Sequence, residues 1–283
     1  MYLICKKDRH IYNKIKENER GIIVNIFLVF AFLFFVGSCI GWGMELLFRR
    51  FISSNNPRRK WINPGFLTGP YLPLYGFGLL GMYVISWCIM TLLDEYSEEN
   101  IAVTALIVFA AMAVTMTVIE YIAGLIFIRG MKLKLWDYSK EKLNIQGVIC
   151  PKFTLLWGLL GTLYYYAINT HVIDWVVWLS HNLAFSFFIG VFFGVFAVVV
   201  SYSLHLSSKM RQFAAEKELV IKYEELKDYI REQREELKEK RRFLLSFHSD
   251  RPIRELMEQF IEHTVERQKQ KLEDVKGKLT DKR

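Results

Sequence analysis

The sequence predicts an all-α membrane protein with a helical cytoplasmic tail, and three observations predict it. Apolar residues make up 52% of the 283 residues. They concentrate before residue 207, in windows longer than the ~18 apolar residues that cross a bilayer. Beyond Ser207 the composition inverts to Glu, Lys and Arg, as in a solvated helical extension. Within the apolar part, Glu45 to Gly81 and Glu120 to Gly161 echo one another. Three regions follow: a basic N-terminal segment (1–20), a transmembrane domain (21–207) and a tail (208–283).

Met1 to Arg20 carries Lys6, Lys7, Arg9, Lys14, Lys16 and Arg20. The apolar run that follows is longer than the ~7–15 residues of a signal-peptide core and has no small-residue cleavage pattern. It reads as an uncleaved first membrane helix, 21–48. A basic loop, 49–60, leads to a second helix over 71–93. Pro70 and Pro73 stand at its start, where a missing N–H is tolerated. An acidic connector, 94–100, precedes a third helix over 101–128. A second basic loop, 129–152, precedes a short fourth helix over 153–168. The connector 169–182 lacks Lys and Arg and holds Trp175 and Trp178, which suit an interfacial belt or a shallow surface helix. A fifth helix covers 183–206. Its Gly190-x-x-x-Gly194 has the spacing of a close-packing motif, expected to pack within the monomer.

Loop charge sets the orientation. Both basic loops and the near part of the tail belong on the cytoplasmic side, and the two connectors outside. Five spans then put the N-terminus outside, against its own basic residues. The formal net charge of +8 fits this positive-inside distribution and gives no case for nucleic-acid binding. In the tail, Leu219, Tyr223, Leu226, Ile230, Gln233, Leu237, Lys240 and Leu244 alternate spacings of four and three, a heptad seam. A break at His248 to Pro252 separates a second seam, Ile261, Val265, Gln268, Leu272, Val275 and Leu279. The seams suit an antiparallel hairpin or pairing between chains through 219–279, as in a homo-oligomer.

The echo is specific in spacing. Each stretch opens with a carboxylate in an apolar helix, Glu45 or Glu120, and reaches a Trp sixteen residues later, Trp61 or Trp136. An Asn and Gly pair follows (Asn63 and Gly65; Asn144 and Gly147). A proline then leads into Leu74-Tyr75-Gly76 or Leu156-Trp157-Gly158. This predicts two repeated helical hairpins running the same way, related by an axis along the membrane normal.

The motifs Gly41-Trp42-x-x-Glu45, Asn63-x-Gly65-Phe66-Leu67-x-Gly69-Pro70, Glu120-Tyr121-x-x-Gly124, Leu135-Trp136-Asp137-Tyr138-Ser139 and Asn144-x-x-Gly147 resemble the bacterial family of CmpB-type ABC transporter permeases. The resemblance spans roughly 30–167. It implies a permease subunit in the cell membrane, served by an ATPase on a separate chain. The family pattern carries Arg, Glu and Arg where Pro64, Ile128 and Val148 stand here.

Chemistry is expected around the two carboxylates. Glu45 lies four residues before Arg49 and Glu120 nine before Arg129, ~6 Å and ~13 Å short of the basic edge. An acidic residue at the helix centre costs roughly 2.5–3.5 kcal/mol on insertion scales, so it marks a functional candidate. For Glu45 the competing reading is an ion pair with Arg49 one turn on. Parallel repeats would make the two carboxylates face each other near the cytoplasmic leaflet, with Arg49, Lys134 and Lys152 as candidate counter-charges. Trp42, Asn63, Tyr121, Trp136, Asp137, Tyr138 and Asn144 complete the candidate site. The four cysteines and six histidines show no metal-ligand spacing, and no cofactor or nucleotide loop is present. Two other readings stand beside the permease: a membrane-embedded enzyme using Glu45, Glu120 or Asp137 on a lipid-like substrate, and a scaffold or sensor acting through its tail.

Overall fold

The computed structural model describes residues 26–53, 56, 59–93, 100–216, 221–223, 225–227, 229, 258–264 and 266. The basic segment 1–20, most of the acidic connector and most of both tail seams lie outside the described residues.

The chain is an all-α membrane protein, as expected. Helix α1, described over Ile26–Phe51, ends later than the apolar run suggests, taking Arg49 and Arg50 into its last turn. Basic side chains at a helix C-terminus are favoured by its dipole. Helix α2 (Pro73–Leu92) starts on Pro73. Helix α3 (Ile101–Leu125) continues as a wider π-type turn, Ile126–Gly130. Helix α4 (Pro151–Leu163) starts on Pro151 and runs through a second π-type turn, Tyr164–Ile168, into α5 (Asn169–His181). The Trp-rich connector is therefore helical. A 3₁₀ turn, Leu183–Phe185, precedes α6 (Ser186–Glu216), which extends a full ten residues past the expected end at 206. Two short strands, β1 (Leu133–Lys134) and β2 (Ile221–Lys222), pair in parallel.

Among the described residues, four helical segments are long and apolar enough to cross a membrane: Ile26–Phe51, Pro73–Leu92, Ile101–Gly130 and Leu183–His205. The expected fourth span, 153–168, is not among them. The α4–α5 run nonetheless carries the chain back along the bundle. Thr117 bonds Thr154, and Gly158 packs on Phe109, so α3 and α4 are antiparallel. Phe32 meets Phe185 in the turn just before α6, while Phe34 and Phe35, further along α1, meet Phe193, Phe196 and Phe192 further along α6, so α1 and α6 are parallel.

Close helix contact is carried by small residues. Gly37 lies against the backbone of Tyr75 and Gly76, and Gly41 against the Tyr75 side chain at its root. Gly37-x-x-x-Gly41 is thus the working close-packing motif. Gly190 and Gly194, singled out by spacing, have nothing within 4 Å of where a Cβ would stand. Their expected packing within the monomer is absent among the described residues. The first backbone N–H of the α2 start is also provided for: Leu72 N–H donates to the Ser38 carbonyl of α1, 3.0 Å. An unmet amide at that depth would cost several kcal/mol.

The tail meets the loops. Tyr223 and Leu226, both on the expected first seam, are buried with Leu133. Phe66, Met131, Tyr229, Phe260 and Ile261 pack around them. Tyr229 also touches Phe260 and His263 by their rings. These seam positions face the protein's own loops.

Candidate functional site

Each carboxylate keeps its own set of donors. Glu45 accepts from Arg49 Nε at 2.9 Å and from Tyr75 O–H at 3.0 Å. The pair with Arg49 is partly exposed, so Glu45 forms the ion pair expected one turn on, alongside a contact to α2. Glu120 is 4% exposed. It accepts from Tyr138 O–H at 2.9 Å and from Trp157 Nε1–H at 3.2 Å. A buried carboxylate survives where several donors converge on it.

Tyr75 and Trp157 occupy the same place in Leu74-Tyr75-Gly76 and Leu156-Trp157-Gly158, and each donates to the carboxylate of its own hairpin. The packing beneath corresponds too. Gly76 lies on Phe34 and Gly158 on Phe109, each eleven residues before its Glu.

The Asn turns serve as supports. Asn63 is buried; its Oδ1 accepts Trp42 Nε1–H at 3.0 Å and Gly65 N–H at 3.2 Å, and its amide donates to the Leu67 carbonyl. In the second half, Asn144 donates to the Glu141 carbonyl and accepts from Gly147 N–H at 2.9 Å. Gly147 has φ +66°, a conformation glycine takes without strain. Trp136 donates to the Val148 carbonyl at 2.9 Å, fixing the same turn. Val148, apolar where the family pattern has Arg, is buried against Gly124. Asn144 and Trp136 thus shape the loop and do not reach a carboxylate. Tyr121 is half-buried and makes no side-chain hydrogen bond among the described residues.

The counter-charges differ from expectation. Lys134 goes to Asp137 at 2.6 Å and Lys152 to Glu141 at 2.9 Å. Neither is paired with Glu120, because the loop supplies nearer carboxylates that are also wetter. Asp137 further accepts from Ser139 and from Lys222 of the tail, at 2.9 Å for the latter. Burial alone pushes the Asp137 carboxyl up, but the bonds from Lys134, Ser139 and Lys222 outweigh it and hold it well below the usual carboxylate range. The same bond raises the Lys222 ammonium. Tyr138 stacks on Phe153 with ring centroids 4.3 Å apart. Burial, and after it the Glu120 charge, push its phenol far above the ordinary value. It remains a proton donor to Glu120 at any physiological pH.

The candidate residues therefore form two clusters, Glu45–Trp42–Asn63–Tyr75 and Glu120–Tyr138–Trp157, with Asp137 beside the second. Sequence reasoning passed over Tyr75 and Trp157 as site residues. Their matched places before Gly76 and Gly158 were the available signal. No group of three or more His, Cys, Asp or Glu suited to a metal occurs among the described residues.

Apolar helices packed through glycine, with the Glu120 carboxylate buried between them, define a class: an all-α membrane protein that keeps an ionisable group inside its helical bundle. Residues 32–204 match the family model described as "Putative ABC-transporter type IV". The match covers more than half of the chain, and the chain belongs to that family. No curated protein and no solved structure matches it.

Proposed function

We propose that the chain is the membrane subunit of an ABC-type transporter, working with an ATPase on another chain. It crosses the membrane five times, with the basic loops and the tail on the cytoplasmic side. Two repeated hairpins, α1–α2 and α3–α4, set Glu45 and Glu120 around one polar site near the cytoplasmic face. Trp42, Asn63, Tyr75, Tyr138 and Trp157 hold the carboxylates in place, and Asp137 tethers the turn that carries Tyr138.

One observation carries this reading: corresponding aromatic donors, Tyr75 and Trp157, reach corresponding carboxylates. Buried, hydrogen-bonded carboxylates in a membrane bundle are costly, which favours their use on a substrate or ion path. The test is purification of the full chain from its own membranes. An ATPase should copurify. Its ATP hydrolysis in vesicles should fall at least about tenfold when Glu45 and Glu120 are both changed to Gln. Purification without an ATPase, or unchanged hydrolysis by the double variant, would sink the proposal.

A further inference from the structure

The tail segment 221–229 touches both halves of the candidate site at the residues that support the carboxylates. Lys227 Nζ donates to the Asn63 carbonyl at 2.6 Å, and the Asn63 side chain holds Trp42, three residues before Glu45. Lys222 Nζ holds Asp137, and the next residue, Tyr138, caps Glu120. Between these two anchors Tyr223 and Leu226 are buried, with Tyr223 edge-on to Phe66 at 5.3 Å between ring centroids. Phe66 in turn meets Phe127 of the π-type turn that ends the Glu120 helix. Leu133 pairs with Ile221 and Lys134 with Lys222 in parallel register.

We infer that the tail residues Lys222, Tyr223, Leu226 and Lys227 form a latch that controls access to Glu120, closing the site when seated and opening it when released. The inference rests on the carboxylate-site reading and adds regulation to it. The physical case is one of leverage. Glu120 is covered by Tyr138, whose backbone N–H donates to the Gly147 carbonyl and whose carbonyl accepts from Glu141 N–H, 2.9 Å each, so the turn moves as one piece with its Asp137. The neighbouring Asp137 is the handle of that turn. Lys134 holds it from within the loop and Lys222 from the tail. With the tail seated, the turn is tied to a buried apolar contact. With the tail away, the turn loses Lys222 and the buried apolar contact and keeps Lys134, the Gly147 bond and the stack of Tyr138 on Phe153, so Tyr138 lifts more often than with the tail seated. A short segment held by two lysines and two buried side chains is a small contiguous unit of the kind that opens separately from the rest of a structure. An ATPase approaching the cytoplasmic loops would compete for the same surface.

The experiment uses the full chain with its four native cysteines changed to Ala, in membrane vesicles. Leu133→Cys and Ile221→Cys are introduced together and oxidised to lock the latch; reduction unlocks it on the same molecules. Leu226→Asp with Lys222→Ala releases it permanently. Dicyclohexylcarbodiimide, which attacks carboxyl groups from the membrane phase, is the probe, and mass spectrometry of the peptide bearing Glu120 is the readout. Modification of Glu120 should be about tenfold faster in the released than in the locked form, a shift of about 1.4 kcal/mol in the opening equilibrium. Reduction of the locked form should restore the faster rate. Equal rates in locked, reduced and released proteins would overturn the latch, including the case in which Glu120 reacts in none of them. Failure of the pair to cross-link would overturn it as well. If the latch fails this test while the double Gln variant still abolishes coupled hydrolysis, the site reading stands and the tail is a strut.

Discussion

Gly41→Ala should destabilise the protein while Gly43→Ala, two residues away in the same helix, should not. The added Cβ at Gly41 overlaps the Cβ and Cγ of Tyr75 and comes within 2.7 Å of its Cδ1. No rotamer of Tyr75 moves its own Cβ, so α1 and α2 must separate. Overpacking of this kind costs about 1–3 kcal/mol. Separation also stretches the bond from Tyr75 O–H to Glu45, and a hydrogen bond to a charged group contributes about 1.5–3 kcal/mol. Alanine offsets about 0.5–1 kcal/mol of this through its better helix propensity. The net loss is about 1.5–5.5 kcal/mol. Gly43 has nothing within 4 Å of a Cβ, so only the propensity gain remains, about 0.5–1 kcal/mol. Denaturant titration of the detergent-purified protein, followed by tryptophan fluorescence, reads both shifts. Equal midpoints for the two variants would refute close packing at Gly41.

Three further outcomes are expected. Glu120→Gln keeps one acceptor oxygen for two converging donors, Tyr138 and Trp157, and turns an NH₂ toward the other. It should cost about 1–3 kcal/mol, and Glu120→Gln with Trp157→Phe should cost less than the sum of the single changes; additivity within ~0.3–0.5 kcal/mol would mean no shared contact. Tail docking should be flat between about pH 5 and pH 9. The lowered Asp137 carboxyl gives a contribution that is lost only as pH falls below the ordinary carboxylate range, and the raised Lys222 ammonium one that is lost only as pH rises past the ordinary lysine range. Lys134, Asp137, Lys222 and Glu225 are the charges that face one another there; a slope across neutral pH in the yield of the Leu133–Ile221 cross-link would count against this. A cysteine at position 97, in the acidic connector, should react with an impermeant maleimide on intact cells, and one at position 207 should not; the reverse pattern would invert the topology.

Much of the helical layout was legible because its signals are local. Pro73 and Pro151 open the helices they were expected to open, since a proline lacks an N–H only the first turn can spare. Glu45 and Arg49 pair because one helical turn separates them. Less legible was everything decided by which face a residue shows. Gly37-x-x-x-Gly41 and Gly190-x-x-x-Gly194 have the same spacing, and only the neighbouring helix distinguishes them. Lys134 and Lys152 were within loop reach of several carboxylates, and chain geometry chose Asp137 and Glu141. The seam at Tyr223 and Leu226 was visible as a heptad, but a heptad states only that a stripe is buried, not against what. The continuation of α6 beyond 206 escaped notice because hydropathy ends there while the helix does not.

The bond from Leu72 N–H to the Ser38 carbonyl has a consequence for how the gene can vary in length. It is made by two backbones, so of all side-chain substitutions at the two positions only proline at 72, which has no N–H, deletes it. Together with the Trp42–Asn63 contact it brackets the chain: a four-residue step along α1, ~6 Å, is matched by the nine-residue step from Asn63 to Leu72. Any insertion or deletion inside that step shifts one pin relative to the other and must break one. Upstream, between Phe51 and Asn63, Asn56 bonds the Arg49 and Lys60 backbones, and an insertion there costs these local bonds and the slow logarithm of loop closure, about 0.6 kcal/mol for each doubling, while both pins stay in place. Relatives should therefore differ in length before Asn63 and keep the count from Asn63 to Leu72 fixed.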